Sequence, residues 1–182
     1  MKEIILLSGK AQHGKDSSAK FIQEALGDRA IILHFADLLK MIAKKYLSWD
    51  GSKDPKGRTL LQWLGTDRVR KEMGWCGYWA ERTCDFIEIL SQKYEYFLIP
   101  DCRFPNEVTI PENRFKNYKV SLVRIVRKNF DNGLSKEQQQ HPSEISLDNY
   151  TPDYIIESEG GLENLKINVD KFINEHFREN KI

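Results

Sequence analysis

The sequence predicts an α/β fold, a parallel sheet of about five strands flanked by helices, and three observations predict it. Short apolar runs at Ile4–Leu7, Ala30–Phe35, Tyr96–Ile99, Val120–Val126 and Tyr154–Ile156 alternate with longer helical patterns, the order that wraps helices around parallel strands. The first three runs are almost continuously apolar, as expected of strands covered on both faces. A glycine-rich loop follows the first run and opens a helix.

Each element has its own local reason. Phe21, Ile22, Ala25 and Leu26 recur at helical spacing and stop at Gly27, a candidate C-cap. Leu38, Leu39, Ile42 and Ala43 repeat the pattern, and about 36–93 reads as helical apart from a break near Trp49–Gly57. That break holds Asp50-Gly51, Asp54-Pro55 and Gly57, which are turn chemistry. Pro100 ends the third strand at Ile99. A second loose segment runs from Asn129 to Tyr150. Leu162, Leu165, Val169, Phe172, Ile173 and Phe177 then form one stripe of a closing helix.

Size and charge set outer limits. A chain of 182 residues fits one domain. Its 28 Lys+Arg against 27 Asp+Glu leave a net charge of +1, without the basic excess of phosphate-tracking proteins. No nucleic acid polymer is therefore expected as a partner. No run approaches the roughly 20 apolar residues that cross a bilayer, and Ile4–Leu7 is too short for a signal-peptide core. Cys76, Cys84 and Cys102 lack a C-x-x-C pair, so they fit neither a disulfide framework nor a zinc site. A cytoplasmic chain with packing thiols and no membrane partner is expected.

The chemistry begins at Gly9-Lys10-Ala11-Gln12-His13-Gly14-Lys15-Asp16-Ser17. This is G-x-x-x-x-G-K between a strand and a helix, the context of a phosphate-binding loop. Its backbone N–H groups can curl around phosphate oxygens, aided by the positive end of the helix dipole. Lys15 supplies an ammonium for the β- and γ-phosphates of a nucleotide. The next residue is Asp16 where a Mg²⁺-binding Ser or Thr is usual. A carboxylate can hold Mg²⁺ directly or through water, while Ser17 is turned by about 100° around the helix. Asp101 ends the apolar strand Phe97-Leu98-Ile99 and is the third metal candidate; alternatively it caps the turn that follows.

Gly14-Lys15-Asp16-Ser17 resembles the G-K-D-[ST] loop of deoxynucleoside monophosphate kinases of bacteriophages and bacteria. Phe35-Ala36-Asp37-Leu38-Leu39-Lys40 is similar to that family's F-A-D-x-L-K. Further similar blocks are Leu60-Leu61-Gln62-Trp63-Leu64-Gly65-Thr66-Asp67 with Arg70, Asp101-Cys102-Arg103-Phe104-Pro105-Asn106-Glu107, and His141-Pro142-Ser143-Glu144. They fall in the family's order over most of the chain.

The resemblance implies a P-loop NTPase fold and a Mg²⁺-dependent enzyme that uses ATP to phosphorylate a nucleoside monophosphate. A second copy of the chain is the one macromolecular partner considered. It implies a helical acceptor-binding region over about 36–93 and a lid over about 128–144. Arg103 and Arg70 become candidates for the acceptor phosphate, Arg103 because its planar fork suits bidentate binding. The alternatives are an Arg103–Glu107 surface pair and a solvated Arg70. Asp37 and Lys40 become acceptor-side candidates, although an Asp there is also a favoured N-cap. Gln62, Trp63, Trp75 and Trp79 could meet a base or simply pack in the core. Arg124 and Arg127 are candidates for the lid cations that steady the transferred phosphoryl, or else exposed strand-edge arginines. Lys15, Asp101, Arg103, Arg124 and Arg127 thus form the expected catalytic set. Competing readings are a phosphomevalonate- or dephospho-coenzyme-A-type kinase, or a regulatory module gated by ATP.

Overall fold

The computed structural model describes residues 1–52 and 54–178. Strands β1 (Glu3–Ser8), β2 (Ala30–Ile32), β3 (Tyr96–Ile99), β4 (Lys119–Arg127) and β5 (Tyr154–Ser158) form one sheet in the order β2-β3-β1-β4-β5. Every pairing is parallel. Central β1 matches Leu6 with Ile99 on one side and Ser8 with Arg124 on the other. The chain leaves β1 towards β2 and leaves β4 in the opposite direction, towards β5. That reversal opens a crevice beyond the carboxyl ends of β1 and β4, where open parallel sheets bind ligands.

Eight α-helices accompany the strands among the described residues: α1 (Lys15–Leu26), α2 (Asp37–Tyr46), α3 (Pro55–Gln62), α4 (Tyr78–Leu90), α5 (Pro105–Arg114), the short α6 (Lys136–Gln139) and α7 (Pro142–Ile145), and α8 (Leu162–Arg178). The alternation of β1 decides the layers. Ile5 and Leu7 pack with Ala19, Ile22 and Leu26 of α1 and with Leu165, Val169 and Phe172 of α8. Ile4 and Leu6 pack on the opposite face with Leu39 and Ala43 of α2, Trp79, Cys84 and Ile87 of α4, and Val108 of α5. Each of these large aliphatic or aromatic side chains contributes about 1.5–3 kcal/mol on burial, so both faces of the sheet are committed to the core.

Several expectations need correction. β2 has only three residues and only partial cover on Ile31 and Ile32, because it lies at the sheet edge with β3 as its one neighbour. Beyond it the backbone is drawn off the ladder, as the N–H groups of Phe35 and Ala36 donate to the Asp101 carboxylate. Leu162 is 62% exposed at the start of α8 and does not belong to the buried stripe. Trp79 is a core residue whose indole N–H donates to the Gly65 carbonyl at 3.1 Å, so it cannot stack on a base.

The helical middle holds one irregularity. After α3, started by Asp54 accepting the Gly57 N–H at 2.7 Å, the chain widens into a π-helical stretch over Trp63–Glu72. Its last turn shows the wide register, with the Met73 N–H donating to the Arg68 carbonyl. Such stretches are rare and cluster at functional sites. Among the described residues no helix is long and apolar enough to cross a membrane.

Candidate active site

At the crevice between β1 and β4 the glycine loop follows β1 and approaches β4 closely. Gly9 has φ +132°, and a Cβ there would lie 2.2 Å from the Ile125 carbonyl oxygen of β4. Gly14, at φ +97°, has the Leu165 side chain 2.6 Å from its would-be Cβ. Gly9 is therefore required by close approach to backbone as well as by conformation, and Gly14 by its conformation. Lys15 opens α1, and its Nζ donates to the carbonyls of Gly9 at 2.7 Å and Lys10 at 2.9 Å. Burial, followed by repulsion from Arg103, lowers the Lys15 ammonium to about 8. An anion arriving here would meet a cation that lacks a full hydration shell.

The other loop residues divide by role. The Arg127 N–H donates to His13 Nδ1 at 3.1 Å, tying the loop to the end of β4, and burial lowers the His13 imidazole below its usual range. Gln12, at φ +62°, donates from its amide to the Asn132 carbonyl. Lys10 Nζ donates to the Asp148 carboxylate at 2.6 Å and to the Glu144 carbonyl at 2.6 Å. Ser17 is half-buried in the first turn of α1.

Asp16 projects from α1 with its side chain 74% exposed, and its Oδ1 lies 3.4 Å from His34 Nε2. His34 also faces Asp37 at 3.4 Å and donates its backbone N–H to Asp37 Oδ2. Hydrogen bonding to Asp16 and then to Asp37 raises the His34 imidazole to about 9. Asp37 is thus the first residue of α2 and linked to His34, and it makes no side-chain cap of that helix. Lys40 follows one turn later, half-buried.

Asp101 lies at the carboxyl end of β3 and receives the Phe35 N–H at 2.9 Å and the Ala36 N–H at 3.1 Å. It joins β3 to the loop before α2, so the carboxylate ties to the preceding segment rather than capping the turn after it. Arg103 does not pair with Glu107 through its side chain. Its Nη1 donates to Glu144 Oε1 at 2.5 Å and to the Ser143 carbonyl at 3.3 Å. The cation that does reach Glu107 is Arg70, at 2.6 Å and largely buried, with its guanidinium over the Phe104 ring. Glu107 also accepts the backbone N–H groups of Arg103 and Phe104, so one buried carboxylate aligns both candidate arginines.

A cavity of about 230 Å³ brings part of this set together; Lys15, Asp16, Arg70, Asp101 and Glu107 are not among its lining residues. Gly9, Lys10, His13, Arg103, Arg124 and Glu144 are among its lining residues. Arg124 is not an exposed edge residue: its Nη2 donates to the carbonyls of Leu147 at 2.5 Å and Tyr150 at 2.7 Å. Arg127 lies over the Phe130 ring, where the loose segment begins. Gln62 and Trp63 do not line this cavity. Trp63, 42% exposed, borders a shallow depression of about 500 Å³ with Pro55, Lys56, Thr59 and Leu60, all from α3 or its end. Of these two cavities, the smaller is the one that the glycine loop lines. Trp75 is exposed and stacks on Tyr78. Cys84 and Cys102 are buried, and burial pushes both thiols up, Cys84 to about 12, while Cys76 is exposed.

Four site residues escaped the candidate set drawn from the sequence: His34, Glu107, Glu144 and Asp148. Glu107 and Glu144 lay inside blocks already singled out, as the last residues of Asp101–Glu107 and His141–Glu144. An acid spaced from arginines by sequence alone does not disclose which one it will meet.

The family model described as deoxynucleotide monophosphate kinase matches residues 38–169. The chain belongs to that family. The match begins beyond the glycine loop, so the loop and the family assignment are separate observations. No curated protein matches the chain in sequence. In structure it is similar to the dephospho-CoA kinase of Campylobacter jejuni, with TM-score 0.54, 16% identity and 98% of each chain covered. It is also similar to the shikimate kinase of Acinetobacter baumannii in complex with shikimate, with TM-score 0.51, 13% identity, and 100% of this chain and 96% of that one covered. These likenesses show a P-loop kinase fold.

Proposed function

We propose that the protein transfers the γ-phosphoryl of ATP to a (deoxy)nucleoside 5′-monophosphate, giving the diphosphate and ADP. The observation that carries this reading is that Gly9, Lys10 and His13 of the glycine loop share one cavity with Arg103, while Lys15 is bonded to the carbonyls of Gly9 and Lys10, in a member of this family. Phosphoryl transfer asks the protein for alignment and charge neutralisation more than for covalent chemistry. Residues Gly9 to Ser17 hold the donor phosphates, and Lys15 leaves its two carbonyl partners to meet the β- and γ-oxygens. Arg103 and Arg70 take the acceptor phosphate, held in register by Glu107. Asp37, Lys40, Gln62 and Trp63 remain acceptor-side candidates, with Asp37 the one connected to the donor helix through His34 and Asp16.

Among the described residues no three His, Cys, Asp or Glu side chains form a closed metal cage. Mg²⁺ is usually bound by one or two carboxylates together with substrate phosphates and water. Asp16, exposed beside Lys15, fits as its principal ligand. Ser17 and Asp101 support it, the latter through lone pairs not used by Phe35 and Ala36. When bound, the ion neutralises charge on the phosphates. Arg124 anchors the segment at 147–150, which leaves Arg127, at the root of the loose segment, to serve the closing lid.

The test is ADP release from Mg·ATP with each deoxy- and ribonucleoside monophosphate offered separately, and with none as control. Turnover that depends on a subset of nucleotides is expected. ATP binding without turnover on any nucleotide would overturn the reading.

A further inference from the structure

Resting on that reading, the structure points to a role for Glu144 that the phosphoryl-transfer scheme does not supply. This carboxylate is 7% exposed and lies against the glycine loop. Its Oε2 accepts the Ala11 N–H at 2.9 Å, and its Oε1 accepts the Arg103 guanidinium at 2.5 Å. Its charge also acts on Lys15 and His13. A carboxylate and a phosphate edge present the same feature to such donors, two anionic oxygens in one plane. Backbone N–H groups of a glycine loop are built to bind that feature.

The segment that carries Glu144 is held down on the same cavity. Lys10 bonds the Glu144 carbonyl and Asp148, Arg103 bonds the Ser143 carbonyl, and Arg124 bonds the carbonyls of Leu147 and Tyr150. Lys10, Arg103 and Arg124 are cations of the phosphate site, and all three are engaged by one short stretch of chain.

We propose that Glu144 occupies a phosphate position between the donor loop and the acceptor arginine, and that each substrate must displace it. ATP needs the Ala11 N–H, and the monophosphate needs Arg103. Whichever binds first removes the carboxylate from both, so the second binds without that cost. Glu144 therefore makes the two affinities interdependent, and linkage requires the effect to be equal in both directions. The empty site is also kept from presenting bare cations to other anions.

The experiment is calorimetry on the full chain, wild type against Glu144→Gln and Glu144→Ala, with thermal melting to establish that the variants fold. The probes are inorganic tripolyphosphate and a non-hydrolysable ATP analogue with Mg²⁺, the latter with and without the monophosphate that gives turnover. Both probes are expected to bind the variants about tenfold more tightly. The tightening of the analogue by the monophosphate, expected to be about tenfold in wild type, should nearly vanish in the variants. Unchanged or weaker binding in both folded variants, or full retention of that tightening, would overturn the proposal. Tripolyphosphate that binds the variants more tightly while no monophosphate is phosphorylated would overturn the acceptor reading and leave the displaced carboxylate standing.

Discussion

At the amino end of β1, Glu3 is 4% exposed; Ser121 donates to its Oε1 at 2.9 Å, and His176 Nε2 lies 2.6 Å away. At the carboxyl end Glu144 is about as buried and makes hydrogen bonds of similar length to Ala11 and Arg103. The difference lies in what supplies the partners. Glu3 belongs to β1 itself, and Ser121 and His176 come from β4 and α8, elements locked by the sheet and by the aromatic packing of Tyr154, Phe172 and Phe177 around His176. Glu144 sits on α7, only four residues long, and faces a cavity. Buried polar contacts of the first kind secure the fold. Those of the second kind hold a place that a ligand can take, because little apolar surface is lost when the short segment moves.

The largest expected effect lies at the carboxyl end. Lys15→Met should fold normally and lose turnover about a thousandfold, as measured by steady-state ADP release beside a thermal melt. Turnover near the wild-type level would remove Lys15 from the donor site and dissolve the contrast between the two ends.

A smaller effect is expected at the amino end and of a different kind. Glu3→Ala removes one buried hydrogen-bond partner from the Ser121 hydroxyl and one from His176, a loss of about 2 kcal/mol. Urea unfolding should show that loss while KM for ATP and for the acceptor stays at its wild-type value. A changed KM would mean that the two ends are not independent.

A third effect lies in pH dependence. Lys15 titrates at about 8 in the folded chain against 10.5 when exposed, so its buried charge costs stability in full below pH 8. That cost is relieved as the pH rises towards 10.5, since the unfolded chain then binds more protons than the folded one. Without ligand, Lys15→Met should exceed wild type in stability at pH 7, and the gap should narrow between pH 8 and 10.5. A gap that does not change with pH would show that the Lys15 ammonium is not depressed in the folded chain.

Much of the framework was legible from local pattern. The five strand positions follow from short apolar runs, and the third ends at Ile99 ahead of Pro100. Gly27 ends α1, with its N–H donating to the Gln23 carbonyl, and the glycine loop was readable as a strand–loop–helix unit. What was misread had no local signal. Ala30–Phe35 is as apolar as a covered strand, and only the sheet order makes it a three-residue edge. Trp63 and Trp79 are the same residue type in the same helical region, yet one is exposed and the other bonds Gly65 in the core.

By itself the sequence determined the alternation of strands and helices, the phosphate loop with its lysine, and the blocks that carry the family. Those depend on neighbours a few residues apart, whose periodicity and backbone preferences are written in order along the chain. The tertiary structure alone decided which carboxylate meets which donor: Glu107 with Arg70, Glu144 with Arg103 and the Ala11 N–H, Asp148 with Lys10, and His34 between Asp16 and Asp37. Charges are interchangeable in a sequence. Their partners are selected only when the sheet order and the helix packing bring residues from distant parts of the chain to within a hydrogen bond of each other.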